Sequence, residues 1–389
     1  MHNLSRSILL LICLTVLFAC DSAQMQEKQS QETKVEAAIS ANDLFAIRVN
    51  EKVGFIDRKG KIVIEPQFQG AREFVEGRAI VAVSDDKYKQ GYIDETGKFA
   101  LTPQFDAARD FSEGLAAVGI GFFGIHGDGD HKWGFIDKNG TMIITPQFQE
   151  VQSFSEGLAA VMNSERMWGY VDKSGKVVIP FQFEDAFSFS EDLACVLIDG
   201  LFGFIDKSGK VAIEPRFTFP SYFKEGLAGV KIGDKNNKPY KYYGQYIMPV
   251  GASNSKVIFI DKTGKTVIEL ADNVKKANGF SEGLAQIQVE KKEGFPFYGF
   301  IDKSGKVVIE PIYLGFAKDF SEGLALVEYK DKIGFIDKSG KMIIKPEYSW
   351  AGSFHNGLAY VEKGKSASDS KAKSFYIDKT GKIIWQGTK

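Results

Sequence analysis

An all-β fold of tandem three-stranded antiparallel meanders is predicted by three observations. A hairpin signature, clearest in Gly299-Phe300-Ile301-Asp302-Lys303-Ser304-Gly305-Lys306-Val307-Val308-Ile309-Glu310-Pro311, recurs from end to end of the 389 residues. A second signature, Phe320-Ser321-Glu322-Gly323-Leu324-Ala325, falls between successive hairpins. No long amphipathic helical period interrupts either pattern.

Each unit begins with a short strand of the form Leu-Ala-x-Val, as in Leu158-Ala159-Ala160-Val161. Its small residues point to close packing, and the preceding Ser-Glu-Gly supplies a turn. The phenylalanine of that turn recurs as Phe74, Phe111, Phe154, Phe189, Phe223, Phe280, Phe320 and Phe354. Its glycine is replaced once, by Asp192, a residue type that tolerates the left-handed region.

The second strand, Gly-Phe-Ile, leads into Asp-x-x-Gly and a third, β-branched strand. Nine such aspartates, from Asp57 to Asp378, are spaced by 37, 43, 35, 34, 55, 41, 35 and 41 residues, a unit of about 35 lengthened by insertions. Aspartate bonds its own backbone, and glycine supplies the positive φ of a three-residue loop closed by a bulge. Glycine opens the second strand in seven units, with Ile258 and Phe375 replacing it in the others. Proline follows the third strand, at Pro66 or Pro346 for instance, where its missing N–H is expected to end ladder pairing. An aromatic eleven residues beyond the aspartate, such as Phe68 or Tyr348, is expected to pack between units.

In these motifs the chain resembles the bacterial WG-repeat family, over about residues 42–388. Trp133-Gly134 and Trp168-Gly169 carry the literal Trp-Gly, Phe202 and Tyr298 are aromatic stand-ins, and Val53, Gln90 and Ile333 depart from it. The resemblance implies β-repeat architecture and no particular chemistry.

Two arrangements can be built from such units. An open or superhelical β-solenoid needs no closure and accepts any copy number. A closed, propeller-like ring is the alternative, although about 35 residues is short for a blade and nine exceeds the usual four to eight. The open array is the expectation.

The N-terminus reads as an address. Arg6 precedes an apolar run, Ile8 to Ala19, that is shorter than the roughly 20 residues a membrane span requires. It ends in Leu17-Phe18-Ala19-Cys20, which resembles a bacterial lipobox and implies lipid attachment at Cys20. Residues 1–19 are thus expected to be a lipoprotein signal peptide, 20–41 a polar tether and 42–389 the repeat array. The expected location is the bacterial cell envelope, the outer membrane rather than the inner, facing the periplasm or the surface. Cys195, at an alanine-like position, is expected to be a buried structural thiol.

Forty-nine basic and 50 acidic residues, interspersed, give no electrostatic reason to expect a nucleic acid partner. A cation or anion ladder along the aligned Asp-x-x-Gly-Lys turns is set against their ordinary turn role, which suffices. The glutamate repeated in the Ser-Glu-Gly turns is ascribed to folding, since catalysis usually breaks symmetry.

Symmetry fails in three insertions. Gly119 to Lys132 holds His126, Asp128, Asp130 and His131 without a recognised metal-ligand spacing, so no metal site is assigned. Lys231 to Lys256 holds Tyr240, Tyr242, Tyr243 and Tyr246 among lysines and asparagines, a composition suited to protein or glycan recognition. Glu362 to Ser374 is polar, and its Gly364-Lys365-Ser366 lacks the remainder of a phosphate loop.

The expected function is therefore non-catalytic binding or scaffolding of an envelope protein or glycan, with no cofactor and no catalytic residues. A hydrolase acting on glycans through a carboxylate pair, or a spacer without ligand, are the alternatives.

Overall fold

The computed structural model describes residues 43–83, 89–121, 131–233, 240–242, 245–247, 255–291, 295–366, 368–369 and 371–387. They form nine antiparallel blade sheets and one separate hairpin. The blades, numbered along the chain, cover residues 45–68, 70–105, 107–148, 150–183, 185–217, 228–269, 274–314, 324–348 and 350–386.

Blade 4 shows the plan: Glu150–Val151, Leu158–Met162, Trp168–Asp172 and Val177–Phe183 pair in chain order. The three predicted strands are present, and a two-residue strand is added in front of them. Its brevity hid it from pattern reading. Six blades have a fourth strand, of two residues in five of them and of four in blade 7 (Val274–Ala277), and in blades 6 and 8 an isolated bridge, Phe219 to Lys231 or Ala317 to Val327, stands in its place.

The hairpins form as their residues dictate. Asp172 Oδ1 accepts the backbone N–H groups of Ser174 and Lys176 at 2.9 and 3.1 Å, and Gly175 takes a φ of 85°. Proline does not end the third strand as expected. In blade 1 the strand runs Ile62–Phe68 through Pro66, and Val53 pairs with Phe68 beyond a bulge. The bulge presses the strand onto the opposing glycine: a Cβ on Gly54 would lie 2.6 Å from the nitrogen of Pro66. Blades 6 and 9 lack both this glycine and this proline, so the two absences are one structural event.

Burial explains the composition of the strands. Leu158 to Val161 and Trp168 to Val171 are buried on both faces, whereas the third strand alternates. Each core lies between blades rather than within one. Phe55 of blade 1 meets Phe74 of the blade 2 turn at 4.9 Å, and Phe335 meets Phe354 in the same way at 4.9 Å. Each such side chain buries roughly 150–250 Å2, so these stacked cores are the main source of cohesion.

The series returns to its start. Phe45 of blade 1 meets Tyr376 of blade 9 at 5.4 Å, within a buried cluster that also holds Ile47, Ile56 and Leu358. The hairpin glycine of blade 1, Gly60, packs on the carbonyl of Ile384 in blade 9, as Gly97 packs on Ile64 one junction later. The units therefore close into a nine-bladed propeller-like ring, the alternative expectation, and the open solenoid is corrected. Two physical reasons stand behind the correction. A fourth strand as short as two residues lets a short unit form a blade, and the same packing of hairpin glycine on the preceding blade recurs from junction to junction.

Candidate functional site

The two ends of the blades do different work. In an antiparallel meander, alternate connections lie at the same end. The Ser-Glu-Gly turns and the Asp-x-x-Gly hairpins therefore share one end, with Leu115 opposite Asp137 in blade 3. The connections between the first long strand and the next lie at the other, with Ile120 opposite Lys132.

The first end is occupied by bonds between blades. Glu113 of blade 3 accepts the N–H of Gly157 in the blade 4 turn at 3.0 Å and pairs with Lys173 of the blade 4 hairpin at 3.1 Å. The same ion pair recurs at seven junctions, for example Glu76 with Lys138 and Glu322 with Lys379. Ser155 adds a hydroxyl donated to the carbonyl of Phe189, 2.7 Å away in the following blade. Burial pushes the Glu113 carboxyl up, but the bonds from Lys173 and the Gly157 amide outweigh it, and its pKa lies below the usual range. The hairpin aspartates are likewise engaged, since the Ser174 hydroxyl and two amides hold the Asp172 carboxyl low. These repeated carboxylates hold the ring together.

The second end carries all three insertions. They join Leu115–Ile120 to Lys132–Asp137, Ala228–Ile232 to Lys256–Ile260, and Leu358–Lys363 to Lys373–Asp378. In the second, Tyr240–Tyr242 pairs with Gln245–Ile247 as a separate hairpin, Lys241 opposite Tyr246. Tyr240, Tyr242 and Tyr246 thus belong to regular strands, while Tyr243 lies outside the described residues. So do Cys20, the tether and the loop residues His126, Asp128 and Asp130. No group of three metal-ligating side chains occurs among the described residues. Cys195 is 2% exposed, and burial pushes its thiol up to about 12.

Beside the second insertion lies a feature that motif reading missed. A cavity of about 390 Å3 opens between blades 6 and 7, lined by Phe219, Gly229, Val230, Lys231, Val257, Lys275, Lys276, Ala277 and Asn278. Glycine at 229 replaces the alanine or cysteine found at 117, 160 and 195, and a Cβ there would meet the Phe259 ring at 3.0 Å. Lys231 is half-buried, and its pKa is lowered first by that burial and then by Lys276 and Lys275. A second cavity of about 400 Å3, lined in part by Leu270, Ile287, Val289 and Ile301, opens at the same junction. It exists because the third strand of blade 6 stops at Glu269 and Asp272 stands at the position of the expected aromatic. The sequence signal was available in the loss of glycine, proline and aromatic from the sixth unit, which in the interior of the array is followed by another blade.

Among solved structures, the chain is similar to BamB from Moraxella catarrhalis, with 10% identity and a TM-score of 0.43, over 82% of this chain and 97% of that one. It is also similar to apo AztD from Citrobacter koseri, with 11% identity and a TM-score of 0.38, over 89% and 94%. No curated protein matches. The model of the "WG containing repeat" matches eight times, at residues 54–88, 91–121, 133–165, 168–202, 202–235, 259–292, 298–332 and 333–365. With well over half of its length matched, the chain belongs to the WG-repeat family.

Proposed function

We propose that the chain is a non-catalytic scaffold of the bacterial cell envelope, tethered through a lipid on Cys20 and binding a protein partner with its insertion-bearing end. One observation carries the reading: the end built of repeated residues is engaged in bonds between blades, while the irregular segments all emerge from the other end. Long connections in otherwise compact repeats are where function concentrates. The tyrosine-rich composition of residues 231–256 supports a protein partner, because tyrosine contributes large contact area at low entropic cost. The lipobox-like Leu17-Phe18-Ala19-Cys20 supports the anchor and the envelope location, with the outer membrane as the favoured side.

Crosslinking in intact cells tests the partner. The full chain is compared with a version in which residues 234–254 are exchanged for the two-residue Asp199-Gly200 connection of blade 5. A crosslinked protein that disappears with the exchange is the expected result. Equal capture by both versions, or binding to envelope glycan with no protein captured, overturns the reading. For the anchor, a fatty-acid analogue should label the natural chain and spare Cys20→Ala.

A further inference from the structure

We infer that the cavity between blades 6 and 7 binds a small organic anion, its acidic head held by Lys231 and Lys276 and its apolar body laid against Phe219, Val230 and Val257. This goes beyond the proposed protein partner and does not depend on it. The volume of about 390 Å3 falls within the roughly 300–1,000 Å3 usual for small-molecule sites.

Charge argues for the head. Three lysines line the space and no acid does among its described lining residues. Lys275 is turned toward Glu290 at 3.5 Å and the carbonyl of Asp272 at 3.1 Å. Lys231 and Lys276 have no ion-pair partner among the described residues. Two ammonium groups that repel each other beside a half-buried wall are relieved by an anion between them. Asn278 serves as wall rather than ligand, because its amide N–H groups already go to Gln286 and Asp319, both at 2.9 Å.

Shape argues for the body. Phe219 is 40% exposed, a ring left uncovered where blade 6 lacks its short first strand. Val230 and Val257 add apolar wall, and Gly229 beside them is packed from behind by Phe259, whose ring would lie 3.0 Å from an added Cβ. Lysine presents a point charge rather than a planar fork, so phosphate and carboxylate heads share the required chemistry.

Fluorescence titration of the full chain with 8-anilinonaphthalene-1-sulfonate, an aromatic anion, tests the site. Binding is expected, and Lys231→Gln with Lys276→Gln should weaken it at least about tenfold, while Lys231→Arg with Lys276→Arg retains it. Phe219→Ser should weaken it without altering the melting temperature. Displacement by phenyl phosphate or by benzoate then identifies the head. Unchanged affinity in the double glutamine variant overturns the inference, as does failure of the arginine pair to bind while folded. Displacement by inorganic phosphate as effective as by phenyl phosphate removes the apolar body from it.

Discussion

The hydroxyl of Tyr376 donates to the carbonyl of Ala46 at 2.8 Å, a bond between residues 330 apart in sequence. It joins the last blade to the first. Tyr92 and Tyr170 make the same bond at interior junctions, to the carbonyls of Arg109 and Phe187, each at 2.8 Å. The closing junction thus uses the chemistry of the others. It differs in three ways: its acceptor Ala46 lies in the first long strand, since blade 1 has no short one, Phe45 stands where later blades carry alanine, and Asn356 stands where they carry the bridging glutamate.

Closure of the ring is open to direct test. Tyr376→Phe should cost about 1 kcal/mol, since a partly buried carbonyl loses its donor. Tyr376→Ala should cost about 3–5 kcal/mol by opening a cavity among Phe45, Tyr360 and Trp385. Both are measured by urea unfolding. Small-angle scattering of Tyr376→Ala should show an expanded particle, and an unchanged radius would mean that the remaining seam contacts suffice.

Acid should weaken the structure. The carboxyls of Glu113, Glu225 and Glu322 are held below the usual glutamate range in the folded protein, because donated bonds outweigh burial. A depressed carboxylate contributes stability that is present above its unfolded pKa and lost as pH falls through its folded value. The part of the urea midpoint these three supply, read as the difference between the natural chain and a variant with all three replaced by glutamine, should therefore hold steady near neutrality and decline below about pH 4.5. Each pair is part-exposed and contributes up to about 1 kcal/mol.

Two glycines of similar φ should differ when replaced by alanine. Gly323, at 87°, has nothing within 4 Å of an added Cβ, so Gly323→Ala should cost only the backbone strain of roughly 1–2 kcal/mol. Gly305, at 83°, would bring a Cβ to 2.6 Å from Ile268 Cγ2 in the preceding blade. Gly305→Ala should cost about 1–3 kcal/mol more. Equal thermal shifts for the two would argue against tight packing at this junction.

Cys195 should be inert in the folded protein. It is buried among Phe204, Phe223 and Ala228, with its thiol pushed up to about 12 by burial. Iodoacetamide at pH 8 should leave it unmodified until urea unfolds the chain, as mass spectrometry would read. Rapid labelling of the native protein would point instead to an accessible, activated thiol.

The sequence by itself determined the unit, its copy number and its local turns. Asp172, Ser174 and Gly175 make their bonds within four residues of one another, so their meaning is present in the chain before it folds. Aromatic spacing likewise foretold the packing between units, as Phe55 meets Phe74 and Phe335 meets Phe354 across their junctions. Only the tertiary structure decided that the array closes, because closure depends on the sum of nine packing angles and no residue encodes such a sum. It also gave Glu113 its partners, Gly157 and Lys173, which belong to the next blade and were read from sequence only as a turn's own need. The cavity beside Lys231 has the same origin. What unit six lacks at Ile258 and Asp272 is visible in the chain, but the space left by that lack exists only once blade 7 stands beside blade 6.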